Sequence, residues 1–468
     1  MLNPLTAKAA ARVGRTRRKG RTHLPPGPGA PGALQLLSFL YEPVAFLRSV
    51  RASHGEVVTI ELPGMWPLVQ MSKPEHVEAI LKGGARELHA GEANQLLEPF
   101  LGSYSVLVLD DDAHLEQRRL LLPPFRGERM KAYGEAMRDA TSSALERVAT
   151  HTVTVTQSVT QQITLDVILQ TVFGIDADAD DELVRLLVGT LRALDDPSLL
   201  VRHFQRDLGP LSPWGRFLRR RARVRELLEQ MIRRRRGQSN EGRVDVLAAL
   251  LQATHSDGTP MSDEEIRDEL MTMLVAGHET TATALSWALY RIALHEDVRS
   301  RLLAEIDEAF PDGVVDPDRI LELEYLTAVA KETLRIHPIV PGIGRVLKEP
   351  RRVAGWELPA ETVIGCSILL AHFDPAIWPE PRRFDPERFI GQRISPYRYF
   401  PFGGGIRRCI GEAFALYEMR VVLATLLTRR VPQLVAGQRY TTKRRNLTLS
   451  PSGGMPLTFG TRSARVAA

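Results

Sequence analysis

A chain of 468 residues with 44% hydrophobic content can bury one large core or two or three ordinary ones. Its two cysteines, Cys366 and Cys409, exclude a disulfide framework and a four-cysteine zinc or iron–sulfur site, and they point to a reducing, cytoplasmic setting. The formal net charge of +5 is concentrated in residues 1–23, where Lys8, Arg12, Arg15, Arg17, Arg18, Lys19 and Arg21 stand without an acid, so the remainder is near neutral. No apolar run approaches the ~20 residues of a membrane span, and the N-terminus lacks the apolar centre of a signal peptide.

Residues 1–23 read as a disordered basic arm, with weak contact to anionic lipid as the sharper alternative. Leu24-Pro-Pro-Gly-Pro-Gly-Ala-Pro31 forms a stiff boundary. A single body follows to residue 460, its first element near Gly32, and residues 461–468 form a short tail. Val57 to Leu62 and Leu68 to Met71, joined through Pro63-Gly64, predict a hairpin. Ser72-Lys-Pro-Glu75 predicts a capping box for a helix over Glu75 to Lys82. From Asp110 to Phe310 the periodicity is mainly helical. Within it, Arg216 to Arg236 keeps Leu218, Val224, Leu227, Leu228, Met231 and Ile232 at helical spacing, so its charges form a solvated outer face and not a nucleic-acid site.

A second capping box, Ser262-Asp-Glu-Glu265, opens a helix of about 30 residues, roughly 45 Å long. At its middle stand Ala276, Gly277, His278, Glu279, Thr280 and Thr281. Gly and Thr are poor helix formers, so a local break in the ladder is expected there, with room for a ligand and a proton route. The plainer reading is a buried threonine cluster bonded to its own helix. A zinc-protease motif would need histidine at Ala282, and fails. Glu332 and Arg335 lie on one face of a later helix, and Arg388 stands in a proline-punctuated loop downstream that could complete a Glu-Arg-Arg network. Strands return over Val353 to Leu370, burying Cys366, and near Leu447 to Leu449 and Leu457 to Phe459.

Phe400-Pro-Phe402-Gly-Gly-Gly405-Ile-Arg407-Arg408-Cys409-Ile-Gly411 then runs into a helix over Glu412 to Leu427. The helix N-terminus and nearby arginines favour a thiolate at Cys409, and the glycines allow close approach of a flat partner. The loop reads as a cradle for a thiolate-ligated metal cofactor.

In this order the motifs resemble the cytochrome P-450 superfamily. The family's F-x-x-G-x-R-x-C-x-G pattern falls on Phe402, Gly405, Arg407, Cys409 and Gly411; A-G-x-[DE]-T-[TS] on Ala276, Gly277, Glu279, Thr280 and Thr281; E-x-x-R on Glu332 and Arg335, with Arg388 as the later arginine. Asp112 to Phe125, with His114 and Arg118, looks like the family's third helix. The resemblance covers Leu24 to Phe459. It implies a mainly α fold with small β-sheets, holding heme b between the long helix and the cysteine-loop helix.

By the same resemblance Cys409 is the iron ligand, and His114, Arg118, Arg345 and Arg407 pair with the heme propionates. Phe402 packs beside the thiolate, and Gly405 and Gly411 lie against the cofactor. Ala276 and Gly277 line the opposite side, where Thr280 hydrogen-bonds dioxygen and Glu279 helps deliver protons. The implied reaction inserts one atom of O2 into a C–H bond or double bond of a hydrophobic substrate and releases the other as water. A peroxygenase or isomerase needing no external electrons is the alternative. No flavin or iron–sulfur segment follows the last strands, which implies a separate ferredoxin or flavodoxin with its NAD(P)H-dependent reductase. Arg118, Arg119, Arg126, Arg129, Arg407, Arg408 and Arg420 are candidates for its docking face. The substrate pocket would draw on residues 96–108, 187–214, 273–280, 339–344 and 452–455, and the protein is expected to be a monomer.

Overall fold

The computed structural model of the protein describes residues 24–63, 66–175, 181–193, 196, 199, 205–209, 212–445 and 448–462. The basic arm 1–23, Gly64 of the predicted hairpin turn, Leu447, much of the 187–214 pocket segment and nearly all of the tail lie outside these residues.

The proline-rich stretch belongs to the body. The Thr59 amide donates to the Pro26 carbonyl at 3.0 Å and the Thr59 hydroxyl to Pro25 at 2.8 Å. A Cβ on Gly27 would lie 1.9 Å from the Thr59 carbonyl oxygen. At the other end the last strand, Pro456–Thr461, passes the expected limit, and Arg462 pairs with Asp307 at 2.5 Å.

The predicted hairpin forms as Val58–Ile60 against Leu68–Met71. Leu68–Met71 then pairs in parallel with Val363–Ser367, which pairs with Gly342–Leu347 and through it with Leu88–His89, giving one five-stranded sheet. Two expectations of local structure fail beside it. The helix Pro74–Leu81 starts one residue early because proline suits the first helical position, so Lys73 becomes the cap residue and the buried Ser72 hydroxyl makes no capping bond. The apolar run after Cys366 is not strand as far as Leu370. Ser367 accepts from the Leu370 amide and caps a short helix, Ile368–His372.

The rest is mainly helical. The helix Asp263–Leu294 carries the full Ser262–Glu265 capping box and is buried over most of its length. It packs against Thr156–Ile168, Pro213–Arg236 and the cysteine helix Glu412–Arg429. No break occurs at Gly277; the helix is continuous, and the Thr280 hydroxyl donates to the Ala276 carbonyl at 2.5 Å. The side-chain bond is made beside the backbone ladder and not in place of it. Pro213–Arg236 buries Val224, Leu228, Met231 and Ile232 with the charges largely outward, except Arg235, which is buried on Asp245 at 3.0 Å. Among the described residues no helix is long and apolar enough to cross a membrane.

Candidate active site

Cys409 stands three residues before the first helical residue, Glu412, at a sulfur that solvent reaches. Its amide donates to the Phe402 carbonyl at 3.0 Å and closes the loop. Phe402 packs, partly buried, against the main core. The protein alone does not favour the thiolate. Desolvation by the surrounding loop pushes the thiol up to about 11, against the Gly411 amide and the charges of Arg118 and Arg408, although the residue keeps a solvent-exposed side. The helix end and arginines are too weak to offset desolvation. Direct bonding to a metal cation is what deprotonates such a thiol.

The glycines serve different needs. Gly405 has φ +64°, and a Cβ there would lie 2.0 Å from the Leu81 carbonyl oxygen, so the chain itself requires glycine. Gly411 has ordinary φ of −84°, and a Cβ would meet no protein atom within 4 Å. Gly405→Ala is therefore expected to destabilise the protein by about 1–3 kcal/mol, and Gly411→Ala to leave apoprotein melting unchanged while lowering cofactor content. Thermal melting of the apoprotein and the heme-to-protein ratio separate the two.

Four predicted residues converge beside this loop. His114 on the helix Asp111–Leu121 is buried, and its Nδ1 has no partner. Burial, then the charges of Arg407, Arg118 and Arg345, hold its imidazole at about 3 and hence neutral. Arg345 is buried on the strand Gly342–Leu347, bonded only to the neighbouring Gly344 carbonyl at 2.7 Å. Arg118 is partly buried, and no carboxylate among the described residues pairs with it. Arg407 differs: it binds Asp110 at 2.5 Å and the carbonyls of Leu109 at 2.6 Å and Val106 at 3.2 Å. Its fork ties the cysteine loop to segment 102–110.

That segment is also fixed to the long helix. The Val106 amide donates to Glu269 at 2.7 Å, the Tyr104 amide to Asp268 at 3.2 Å, and the Thr272 hydroxyl to Ser105 at 2.7 Å. Burial raises the Glu269 carboxyl to about 8. Between its ordinary value and about 8 the folded state holds a proton that the unfolded state has lost, so this group's contribution falls as pH rises through that window. Glu269→Gln keeps an acceptor for Val106 without the charge. It is expected to raise the melting temperature at pH 8 relative to the parent and not at pH 4.5, at about 1.4 kcal/mol per unit of pKa displacement.

On the long helix Ala276 is exposed and Gly277 and Thr280 are partly so, in contrast to the buried run from Thr281 to Leu289. Glu279 is turned toward a neighbouring helix, where Gln161 donates to it at 2.7 Å and Gln157 at 3.3 Å, with Arg445 at 3.8 Å.

The predicted network forms. Glu332 and Arg335 are fully buried and bonded twice, at 2.6 and 2.8 Å, and Arg388 approaches Glu332 at 3.7 Å. Arg335 also donates to the carbonyls of His372, Pro381 and Arg383 at 2.9, 2.9 and 3.2 Å. His372 then extends the network into the cysteine loop: its Nδ1 donates to the Arg335 carbonyl and its Nε2 accepts from the Phe400 amide, both at 3.2 Å. That tautomer is assigned from the bonding pattern. Sequence reading missed His372, Asp110 and Glu269. Asp110, N-cap of the His114 helix, had a signal in standing just before it; the other two have none outside the tertiary contacts.

Three comparisons agree with this geometry. The cytochrome P450 family model matches residues 25–453. The chain is 38% identical over 416 residues to the protein described as cytochrome P450 135B1 of Mycobacterium tuberculosis, spanning 87% of this chain and 85% of that one. With cytochrome P450 135A1 of the same species it shares 35% over 442 residues, 93% and 95% of the two chains. Among solved structures, retinoic acid-bound cyanobacterial CYP120A1 superposes with a TM-score of 0.81 at 24% identity, over 91% of this chain and 96% of that one. The heme domain of cytochrome P450DA gives 0.79 at 25%, over 93% and 94%. The chain belongs to the cytochrome P450 family. It is an oxidoreductase of the monooxygenase class, with the heme cofactor that the family implies.

The residues fit that group. One accessible sulfur, Cys409, suits an iron ligand. The orphaned His114 Nδ1 and the guanidiniums of Arg118 and Arg345, unpaired with any carboxylate among the described residues, suit the two propionates. Open space at Gly411 and exposure at Ala276 leave both flanking elements bare toward a flat group.

Proposed function

We propose that the protein uses heme b to insert one oxygen atom from O2 into a hydrophobic small molecule, with electrons from a separate ferredoxin or flavodoxin and its reductase. Heme supplies the iron at which dioxygen is reduced. Two electrons and two protons then balance the reaction, one oxygen entering the substrate and the other leaving as water.

The observation that carries this reading is the single accessible thiol of Cys409 beside buried His114 and Arg345 and half-buried Arg118, a donor set with which no carboxylate among the described residues pairs. Cys409 would hold the iron, and those three side chains would bind the propionates. Arg407, already committed to Asp110, would contribute mainly by positioning its loop. Thr280 would hold a proton next to the oxygen, its hydroxyl turning from the Ala276 carbonyl, and Glu279 would pass protons inward from the side of part-exposed Arg445. The apolar character of Ile339, Pro341 and Ile343 suits a substrate without strong charge.

Exposure favours Arg119, Arg126 and Arg408 for the proposed docking face, because Arg118 is half-buried and Arg129, Arg407 and Arg420 donate to protein carbonyls. Thr280→Ala is the expected test of oxygen activation. With redox partners and a substrate that shifts the iron spin state, product per NAD(P)H should fall about tenfold or more, the missing electrons appearing as hydrogen peroxide. Unchanged coupling would remove Thr280 from the mechanism, and turnover without external electrons would favour the peroxygenase or isomerase reading.

A further inference from the structure

Away from the cysteine loop, a cavity of about 340 Å³ opens between the helix Pro43–His54, the C-terminal half of the long helix and the loop around residue 382. Its lining includes Arg48, Arg291 and Arg382, and no aspartate or glutamate. Among the described residues, Arg48 and Arg382 have no ion pair or hydrogen bond to a carboxylate. Burial and then the charge of Arg382 lower the pKa of Arg48, as expected for two guanidiniums that line one cavity.

Arg48 and Arg291 are held in place by contacts that leave donors over, while Arg382 stands exposed at the rim. Arg48 lies over the Phe373 ring at 4.6 Å. Arg291 spends its Nε on His337, at 2.9 Å, and sits 5.7 Å from the rings of both Tyr290 and Phe384. His337 is in turn stacked on Trp287 at 3.7 Å, which stiffens that wall. Trp287, Leu369 and Phe373 give the remaining wall an apolar stretch, beside the hydroxyl-bearing Tyr440 and Thr442. The volume is at the low end of small-molecule sites, and a planar fork is the side chain best matched to phosphate or carboxylate.

We propose that this cavity binds a small organic oxyanion, a phosphate or carboxylate carried on a compact apolar body. The guanidiniums of Arg48 and Arg382 grip the oxygens, Arg291 adds a third positive charge, and the apolar wall covers the body. Binding relieves the repulsion between arginines and takes place apart from the residues assigned to the heme.

Calorimetric titration of the full-length holoprotein with phenyl phosphate tests this, with benzyl alcohol as the uncharged comparison. The expected result is saturable binding of phenyl phosphate at least tenfold tighter than that of benzyl alcohol, weakened by salt, with no change in the Soret band. R48Q/R382Q should weaken it at least tenfold, while R48K/R382K should retain part of the affinity. An unchanged Soret band and melting temperature in both variants will show that the fold is intact. Equal affinity for the two compounds, insensitivity to R48Q/R382Q, or binding that shifts the Soret band would each overturn the proposal.

Discussion

Replacing Cys409 with alanine is expected to abolish monooxygenase activity and the red-shifted Soret band of the reduced, carbon monoxide-bound protein, while leaving the fold in place. The sulfur is reachable by solvent, and the structural bond at this position comes from the Cys409 amide to the Phe402 carbonyl, which alanine keeps. Apoprotein stability should therefore change by no more than about 0.5 kcal/mol. Absorbance spectroscopy of the reduced carbon monoxide complex and melting of the apoprotein give the two readings. A thiolate spectrum that survived in Cys409→Ala would remove the residue from the iron, and Cys366 could not take its place. That thiol is fully buried in the sheet and pushed up to about 12 by burial.

The largest expected loss of stability is at Arg335. Its guanidinium spans both oxygens of Glu332 and three carbonyls, those of His372, Pro381 and Arg383, with no solvent exposure. Arg335→Ala leaves the Glu332 carboxylate buried without its main partner, a change that costs about 3–5 kcal/mol in comparable pairs. Arg335→Lys should recover only a minority, because an ammonium has three donors and no planar fork. Chemical or thermal denaturation measures the loss. Hydrogen exchange at the Phe400 amide should quicken in either variant, because His372 connects Arg335 to that amide. Slow exchange at Phe400 in a destabilised Arg335→Ala protein would show that the network does not hold the cysteine loop.

His372 also sets an acid limit on the frame. Burial, then the Arg335 charge, holds its imidazole at about 3. An unfolded histidine takes a proton below about 6.5, so this group's contribution is present above that value and is lost as pH falls toward about 3. His114 has the same sign, and Glu269 the opposite one.

Much of the site was legible in the sequence because the chemistry demands particular atoms at short spacing. The capping box at Ser262, the pair at Glu332 and Arg335, and the loop leading to Cys409 all lie within a few residues along the chain. Reading failed where two local signals competed. Ser72 looked like a cap, but Pro74 fixed the helix start; the run after Cys366 looked like strand, but Ser367 turned it into a helix. The break expected at Gly277 did not occur, because burial and packing on three helices outweigh a propensity cost of about 1 kcal/mol.

By itself the sequence determined the family, the cysteine that its cofactor chemistry requires, and the helices that carry the other motifs, since each depends on residue type and near-neighbour spacing. Only the tertiary structure decided how those residues are held. It committed Arg407 to Asp110, turned Glu279 toward Gln161 and Arg445, joined Arg335 to Phe400 through His372, and brought Arg48 and Arg382 to the lining of one cavity. These pairings join residues far apart in the chain. Their energies depend on burial and on which charges meet, neither of which a linear spacing records.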